Sequence, residues 1–470
     1  MTTAPSPWLA VLAVMLGTLS VVIETTIITV AVPEIRATYA LSQTAVQWVA
    51  GGFFAAMSVT MLVSGWTAER FGLRRTYVAA LCAFVLASLV GGLAPSYGVV
   101  VAARVAQGAA AGIVQPLALV VLFRAFPPER RGFGMGVYGL GVILGPAMAP
   151  ALGGLLVDAY SWRAVFLVAA PFCLASILAA LAFLKIEVAS ERPRPFDALG
   201  LALLAGALPV FLWGLANAQA RGWGDPAILA ALGGGAGLAA LFVRRQLASP
   251  APMVDLGVHR VPGFGAALAL AFVLGAGLFG TTYLLPLYAQ DIHAMTAAES
   301  GLLLMPAGLA MAGIFPLAGH LADRVRVELP ILAGLAALAV STAMIAGAER
   351  ATPFLVLVAW TLVGRLGLGL MMPSINTGGL RQLPADLVTH GSSAISFARQ
   401  LGGTFGVNLL AVVLERRTAV RAETLGHEEA YRLAFHDAFM ALAAVVALAA
   451  VPALAMGRAD RRRAATPAAR

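Results

Sequence analysis

Long apolar runs recur along the whole sequence and constrain its fold more than any other feature. A bilayer core of about 30 Å is crossed by roughly 20 apolar residues in a helix. Inside the bilayer each backbone amide needs a partner within the chain, and these runs lack the alternation of barrel strands, so the predicted fold class is an all-α polytopic membrane protein. Fourteen runs reach the required length, at 9–32, 45–67, 76–94, 98–122, 134–157, 163–184, 198–217, 226–245, 264–289, 299–321, 330–347, 353–377, 390–413 and 437–457.

The composition excludes a soluble globular protein, because 60% of the residues are hydrophobic, 11% are charged and the mean hydropathy is +0.89. A net charge of +9 would also suit a nucleic-acid-binding protein, but no basic patch with interleaved aromatic residues occurs. Cys82 and Cys173 lie in apolar runs without a spaced Cys/His set, so neither a disulfide nor a metal site is predicted. No Walker A phosphate-binding loop is present, so we expect neither direct use of ATP nor any other cofactor.

Basic residues are distributed unevenly between the two sets of alternating connections. One set holds 20 of the 31 lysines and arginines, the other holds 8, and three lie within spans. Because basic residues are retained on the cytoplasmic side, both termini are predicted to be cytoplasmic in a multi-pass protein of the cytoplasmic (inner) membrane. The basic side is called the predicted cytoplasmic end below, and the opposite side is called the predicted outer end.

The sequence contains an internal repeat of six spans. Gly65–Arg70 after the second span recurs as Gly319–Arg324 after the tenth, and Arg104–Gly108 in the fourth span is echoed by Arg365–Gly369 in the twelfth. The two matches have similar offsets, 254 and 261 positions, so spans 1–6 repeat as spans 9–14 and spans 7 and 8 are inserted between them. The predicted organisation is a six-helix half at 1–187, two linker helices at 188–260, a second six-helix half at 261–457 and a basic cytoplasmic tail at 458–470.

Glu24 lies deeper in an apolar run than any other acidic residue of the chain. It precedes Pro33 by nine residues, which places its carboxyl roughly 13 Å below the outer end of the first span. An ionised carboxylate in hydrocarbon is costly, so such an acid faces a cavity or a partner and often carries protons. We expect a role in proton coupling; the alternative is a polar packing contact. The repeat places Gly280, Thr281 and Thr282 at the matching positions, so the acid occurs in the first half only.

Arg104 lies in the fourth span at a depth similar to that of Glu24, so the two side chains are predicted to pair. The positive charge would stabilise the ionised carboxylate, whereas burial destabilises it, and the balance could set proton uptake and release. The alternative is structural hydrogen bonding of Arg104 to Gln107 or to backbone carbonyls. The surrounding stretch at 104–116 resembles the fourth-span motif of proton-coupled members of the major facilitator superfamily.

A charged loop follows the second span at 65–75. Gly65 permits close helix contact, Glu69 and Arg70 lie where the helix meets the cytoplasm, and the later arginines can pair with acids or helix ends across the gap. The loop resembles the gating signature of the same superfamily, with Glu69 where the family usually has Asp. The resemblance implies a conformational gate, and the alternative is a basic anchor. The predicted gating residues are Gly65, Glu69, Arg70, Gly72, Arg74, Arg75, Asp323 and Arg324.

The fifth span is rich in glycine and carries paired prolines. Glycines permit close helix contact, and prolines kink a helix whose freed carbonyls then need neighbours. The stretch at 132–154 resembles the antiporter signature of exporters, with Ala149 where the pattern usually has Gly. The predicted motif residues are Gly141, Gly145, Pro146, Pro150, Gly153 and Gly154.

These stretches together resemble the fourteen-span drug:proton antiporter branch of the superfamily over nearly the whole chain. The branch typically has Asp and Asn where this chain has Glu24 and Thr29. The resemblance implies two pseudo-symmetric halves around a midplane site, rocking to expose it to each side in turn. The predicted cavity residues, each also explicable as packing, are Trp48, Phe53, Tyr138, Trp213, Phe279, Tyr283, Tyr288, Met305, Met371, Met372, Asn376 and Asn408, because aromatic and Met side chains adapt to varied apolar ligands.

The expected function is proton-coupled secondary export of small amphipathic, cationic or lipophilic, drug-like compounds, without enzymatic chemistry. The alternatives are export of one endogenous metabolite or lipid on the same fold and, less favoured, a transporter-like membrane sensor. The expected partners are a small-molecule substrate, protons and the lipid bilayer, but no nucleic acid. The sequence leaves open whether a periplasmic adaptor protein takes part.

Overall fold

A computed structural model describes residues 7–41, 43–46, 48–186, 195–249, 252, 258 and 261–465. The predicted domain boundary near 187–194 and the last five residues of the basic tail lie outside these ranges. The described chain is all-α, as the apolar runs predict, with no strand among these residues. Its α-helices are α1 (Pro7–Thr38), α2 (Gln43–Val46), α3 (Trp48–Phe71), α4 (Leu73–Gly92), α5 (Tyr97–Ala125), α6 (Arg131–Ala159), α7 (Trp162–Val165), α8 (Ala170–Phe183), α9 (Ala198–Arg221), α10 (Pro226–Ala248), α11 (Phe264–Asp291), α12 (Ala297–Arg324), α13 (Glu328–Ala346), α14 (Phe354–Arg381), α15 (Val388–Ala422), α16 (His427–Leu448) and α17 (Ala450–Ala465).

Thirteen stretches of the described residues are helical, long and apolar enough to cross a membrane. The 29-residue helix α6 is not among those thirteen but occupies the place predicted for the fifth span. Two predicted spans are each built from two consecutive helices: α7 and α8 form the sixth, and α16 and α17 form the last. The protein is therefore a multi-pass membrane protein whose helices follow the predicted order.

Close helix packing within each half depends on glycine. A Cβ at Gly108 of α5 would overlap the backbone carbonyl of Phe53 in α3, and a Cβ at Gly402 of α15 would overlap that of Phe272 in α11. Lipid is as apolar as leucine, so helices in a bilayer associate through close van der Waals contact, which small residues allow. These glycines therefore bring α3 against α5 and α11 against α15.

The two inserted helices form a pair beside the junction of the halves. Helix α9 packs along α10 and also touches α3 and α15, one helix from each half. Its N-cap Asp197 accepts hydrogen bonds from the Gly200 amide (2.9 Å), Arg245 Nε (2.6 Å) and Gln246 Nε2 (2.7 Å). Phe211 of α9 lies 5.7 Å, centroid to centroid, from Phe405 of α15. The insertion is thus fixed at the edge where α3 and α15 meet.

Candidate functional site

Glu24 and Arg104 form an ion pair between α1 and α5. Arg104 Nη1 lies 3.4 Å from Glu24 Oε1, and both side chains are fully buried. Breaking a buried pair by removing one partner leaves an uncompensated charge, at a cost of about 3–5 kcal/mol. The acid and the base predicted from their depths are therefore direct partners in the structure.

A small polar network surrounds the pair. Gln107 Nε2 donates to Glu24 Oε1 (3.3 Å) and to Ser88 Oγ (2.8 Å), while Arg104 Nη1 donates to Gln107 Oε1 (3.0 Å). Glu24 Oε2 and Arg104 Nη2 are buried without a hydrogen-bond partner in the described chain. The pair thus has one acceptor and one donor free. Because the network joins α1, α4 and α5, a change in the charge of the pair would alter contacts of all three helices.

Arg104 also holds α3. Its Nε donates to the Val49 carbonyl (2.9 Å), and its guanidinium lies 4.3 Å from the centroid of the Phe53 ring. A guanidinium over an aromatic face is an attractive contact, and it is stronger when both groups are desolvated. Arg104 therefore links the carboxyl of Glu24 to the first turns of α3.

In the second half, the matching arginine contacts a neutral hydroxyl and not an acid. Arg365, the repeat counterpart of Arg104, donates from Nη2 to Thr282 Oγ1 on α11 at 2.8 Å. The acid is thus specific to the first half, as the repeat indicates.

Helix α6 lies between the ion-pair helix and the opposite half. A Cβ at Gly145 would lie 3.0 Å from the Val22 side chain, and one at Gly153 would lie 2.8 Å from Ile27, so both glycines seat α6 on α1 beside Glu24. Gly141, Pro146 and Pro150 lie within the same unbroken helix, and a Cβ at Gly154 would meet nothing within 4 Å.

Asp323 at the end of α12 joins the two halves at the predicted cytoplasmic end. Its carboxylate accepts hydrogen bonds from the backbone amides of Gly132 (2.7 Å) and Phe133 (2.9 Å) and pairs with Arg381 Nη2 (2.8 Å). A carboxylate at a helix N-terminus is favoured by the unpaired amides and the helix dipole. Asp323 therefore fixes the start of α6.

Glu69, the repeat counterpart of Asp323, lies at the end of α3 and also contacts the opposite half. It does so through a histidine side chain, whereas Asp323 accepts from backbone amides. Glu69 Oε1 lies 2.8 Å from His390 Nε2, in the first turn of α15. Gly65 makes room for that ring, because a Cβ there would lie 3.0 Å from His390 Nδ1. One turn away, Ser64 Oγ and Ser393 Oγ are 2.7 Å apart.

Arg124 and Arg381 make reciprocal contacts between the halves. Arg124 Nη2 donates to the Ala385 carbonyl (3.0 Å), and Arg381 Nη2 donates to the Pro128 carbonyl (3.1 Å). Both the donors and the acceptors are 257 positions apart (381 − 124 and 385 − 128), so these contacts obey the internal repeat. The repeat was the sequence signal that could have identified them.

The predicted gating arginines do not take part in these contacts. Arg70, Arg74, Arg75 and Arg324 are exposed and form no ion pair in the described part of the chain, so Arg74 and Arg75 have no acidic partner across the gap in this structure. Gly72 has φ of 86° and makes the sharp turn between α3 and α4. The contacts that close this end use Asp323, Glu69, His390 and Arg381; His390 and Arg381 were missed by sequence reasoning.

A cavity of about 330 Å³ lies between α3, α9, α11 and α15. It is nearer the predicted outer end, where Trp48 begins α3. Its walls include aromatic rings and four uncharged polar side chains, those of Asn217, Gln400, Thr404 and Asn408. The volume is at the lower end of the range for small-molecule sites.

The structure places four of the twelve predicted cavity residues, Trp48, Trp213, Phe279 and Asn408, on this wall. Phe53, Tyr288 and Met371 are buried elsewhere, and Met305 is exposed. Tyr138 is buried on α6, where its hydroxyl accepts from Thr18 Oγ1 (3.4 Å); Met372 and Asn376 are buried on α14, and Tyr283 is half-buried on α11. Sequence reasoning missed Asn217, Gln400 and Thr404.

Comparisons with known proteins agree with this architecture. The family model described as Major Facilitator Superfamily matches residues 14–407. The chain is 31% identical over 412 residues to the tetracenomycin C resistance and export protein of Streptomyces glaucescens, covering 87% of this chain and 76% of that protein. It is 31% identical over 407 residues to the multidrug resistance protein Stp of Mycobacterium tuberculosis (strain CDC 1551 / Oshkosh), covering 86% and 75%. The fold resembles that of the proton:xylose symporter XylE, with a TM-score of 0.65, 14% identity and coverage of 95% and 94%.

Proposed function

The chain belongs to the Major Facilitator Superfamily and is a membrane transporter, and we propose that it exports small amphipathic, cationic or lipophilic, drug-like compounds in exchange for protons. Relatives named for multidrug resistance and for tetracenomycin C export support the substrate class. The fully buried Glu24–Arg104 pair is the observation that carries the proposal. An acid and a base that neutralise each other between two spans form an ion pair, and a single proton bound to the acid breaks that pair.

The proposed cycle uses the charge of Glu24 as its switch. A proton from the outer side neutralises Glu24 and releases Arg104 from its ionic partner, and the halves rock so that the substrate site opens inward. Loss of the proton to the cytoplasm restores the pair and favours substrate binding, and the loaded protein returns outward. The energy comes from the proton gradient, and no cofactor is involved.

Two sets of contacts connect the Glu24–Arg104 pair to the cavity and to the predicted cytoplasmic end. Arg104 holds Val49 and Phe53 of α3, and the same turns of α3 present Trp48 and Phe54 to the cavity. Helix α6 touches α1 beside Glu24 and touches Asp323 at its other end. A change in the Glu24–Arg104 pair therefore reaches both the cavity and the closed predicted cytoplasmic end.

The protein resides in the cytoplasmic membrane with both termini inside, which places the Asp323 and Glu69 contacts on the cytoplasmic face. This orientation rests on the distribution of basic residues.

Proton movement in liposomes tests the proposal. Purified wild type, Glu24→Gln and the control Glu34→Gln are reconstituted with a pH-sensitive dye inside, a pH gradient is imposed, and lipophilic cations and uncharged aromatic compounds are added in turn. Glu34 is an acid on the same helix that caps a short turn, accepting from the Trp162 amide at 2.9 Å. We expect wild type and Glu34→Gln to dissipate the gradient when substrate is present, and Glu24→Gln not to.

Equal proton movement by Glu24→Gln and wild type would show that coupling does not use Glu24. Substrate transport by wild type without proton movement would contradict antiport.

A further inference from the structure

The inserted helix α9 forms one wall of the cavity. Pro209, Leu212, Trp213 and Asn217 of α9 face residues of α3, α11 and α15 across it. Trp66 of α3 and Phe196, just before α9, lie 4.6 Å apart between ring centroids, and Phe211 contacts Phe405 on α15. The helix is therefore held against both halves where they meet.

The described walls of the cavity carry no charged side chain. Among the described residues that line it none is acidic or basic, and its polar groups are the amides and hydroxyl of Asn217, Gln400, Thr404 and Asn408. The amide nitrogens of Asn217 and Asn408 donate to carbonyls one turn back on their own helices, Trp213 (2.9 Å) and Thr404 (2.8 Å). The remaining hydrogen-bonding capacity of these amides is available to a ligand.

Two arginines lie beside residues that line the cavity. The Arg221 guanidinium lies 5.3 Å from the centroid of the Trp213 ring, whose indole lines the wall. Arg399 precedes the lining residue Gln400, and its Nη1 is buried without a hydrogen-bond partner in the described chain. The acid Glu24 is fully buried and already paired with Arg104. A permanent cation in this cavity would meet no carboxylate among the described lining residues.

We infer that this cavity is a binding site for uncharged aromatic compounds with hydrogen-bonding groups, and that α9 helps to select them over permanent cations. The inference rests on the proposed export function and narrows its substrate class. Trp48, Trp213 and Phe279 supply flat apolar surface, and the amides orient the ligand's polar groups. A permanent cation there loses hydration and gains no counter-charge from the described lining residues, so its binding is disfavoured relative to that of a neutral ligand.

Binding of a matched pair of dyes tests the inference. Hydroethidine and ethidium share one ring system, but only ethidium carries a permanent positive charge. Equilibrium dialysis of the full chain in lipid nanodiscs under nitrogen, with empty nanodiscs subtracted, measures both. We expect wild type to bind hydroethidine at least tenfold more tightly than ethidium.

Two substitutions locate the selectivity. Asn408→Asp places a carboxylate on the wall and should tighten ethidium binding by about tenfold, equivalent to about 1.4 kcal/mol. Thr424→Asp adds the same charge on the exposed connection after α15 and should leave both affinities unchanged. Trp213→Ala should weaken hydroethidine binding about tenfold, and Trp213→Phe should restore most of it.

Ethidium binding to wild type as tightly as hydroethidine, or binding of neither dye, would overturn the inference. An equal effect of Asn408→Asp and Thr424→Asp would also overturn it, because selectivity would then follow net charge and not the cavity. The dye-binding assay needs no proton gradient, so it can be interpreted even if proton coupling does not use Glu24. Likewise, the liposome result can be interpreted even if the dyes do not bind as expected.

Discussion

Asp323→Asn should open the predicted cytoplasmic end far more than Glu69→Gln, although the two acids occupy repeat-related positions. Asp323 accepts two backbone amides of α6 and pairs with Arg381, and its side chain is only 4% exposed. An asparagine keeps the shape, but it loses the charge and turns one acceptor into a donor that faces other donors. Glu69 makes a single contact to His390, and glutamine can still accept a hydrogen bond from that ring.

The expected magnitudes follow from these contacts. Hydrogen bonds to a charged group contribute about 1.5–3 kcal/mol each. If Asp323→Asn loses most of the energy of two of its three bonds, the closed conformation is destabilised by about 3 kcal/mol. Such a change reduces the closed-to-open ratio by a factor on the order of 100. Glu69→Gln removes charge assistance from one bond and should cost about 1 kcal/mol or less.

Distances between spin labels at exposed Arg75 and Arg326, one in each half, measure that ratio once Cys82 and Cys173 have been replaced by alanine. Asp386→Asn is the control, because Asp386 is exposed at the same end and forms no ion pair in the described chain. If Asp323→Asn shifts the distances no more than Asp386→Asn does, the capping argument is refuted. A larger shift for Glu69→Gln than for Asp323→Asn would also refute it.

Two further predictions concern packing and pH. Gly132→Ala should lower the unfolding temperature in detergent, by the equivalent of about 1–3 kcal/mol, because the added Cβ would overlap the Gly319 carbonyl. Gly154→Ala is the control and should leave the unfolding temperature unchanged, because its Cβ would meet nothing within 4 Å. Equal effects of the two substitutions would contradict this packing. Burial raises the pKa of Asp197, but hydrogen bonds from Gly200, Arg245 and Gln246 outweigh it and hold that pKa below its usual value of about 3.9. The stabilisation is therefore present above the usual pKa and is lost as pH falls through the lowered one. Asp197→Asn should lower the unfolding temperature at pH 7, and the difference from wild type should narrow in strong acid; a difference independent of pH would contradict this account.

Much of the fold could be predicted because its determinants are local. Twenty apolar residues form a helix in a bilayer whatever surrounds them, since the backbone has no other partner there. The internal repeat added the relation between halves, and the depth of Glu24 and Arg104 in their spans predicted their pairing, which the structure contains.

The candidate site was less predictable where it depends on which helix faces come together. Apolar faces of different spans look alike, and lipid competes equally for all of them, so hydropathy does not reveal which pairs form. Arg74 and Arg75 looked like gating partners in the sequence, whereas Arg381 and His390 make the contacts because α14 and α15 bring them to the ends of α12 and α3.

The sequence by itself determined the helices, their order, the repeat and the single deep acid, because hydrophobic length and charge are properties of each segment alone. Only the tertiary structure decided that Gln107 and Ser88 complete the ion-pair network and that Asn217, Gln400 and Thr404 line a cavity without charged side chains among its described lining residues. Those features arise from lateral packing, in which glycine contacts and a few polar bonds select one arrangement among many that are equally apolar.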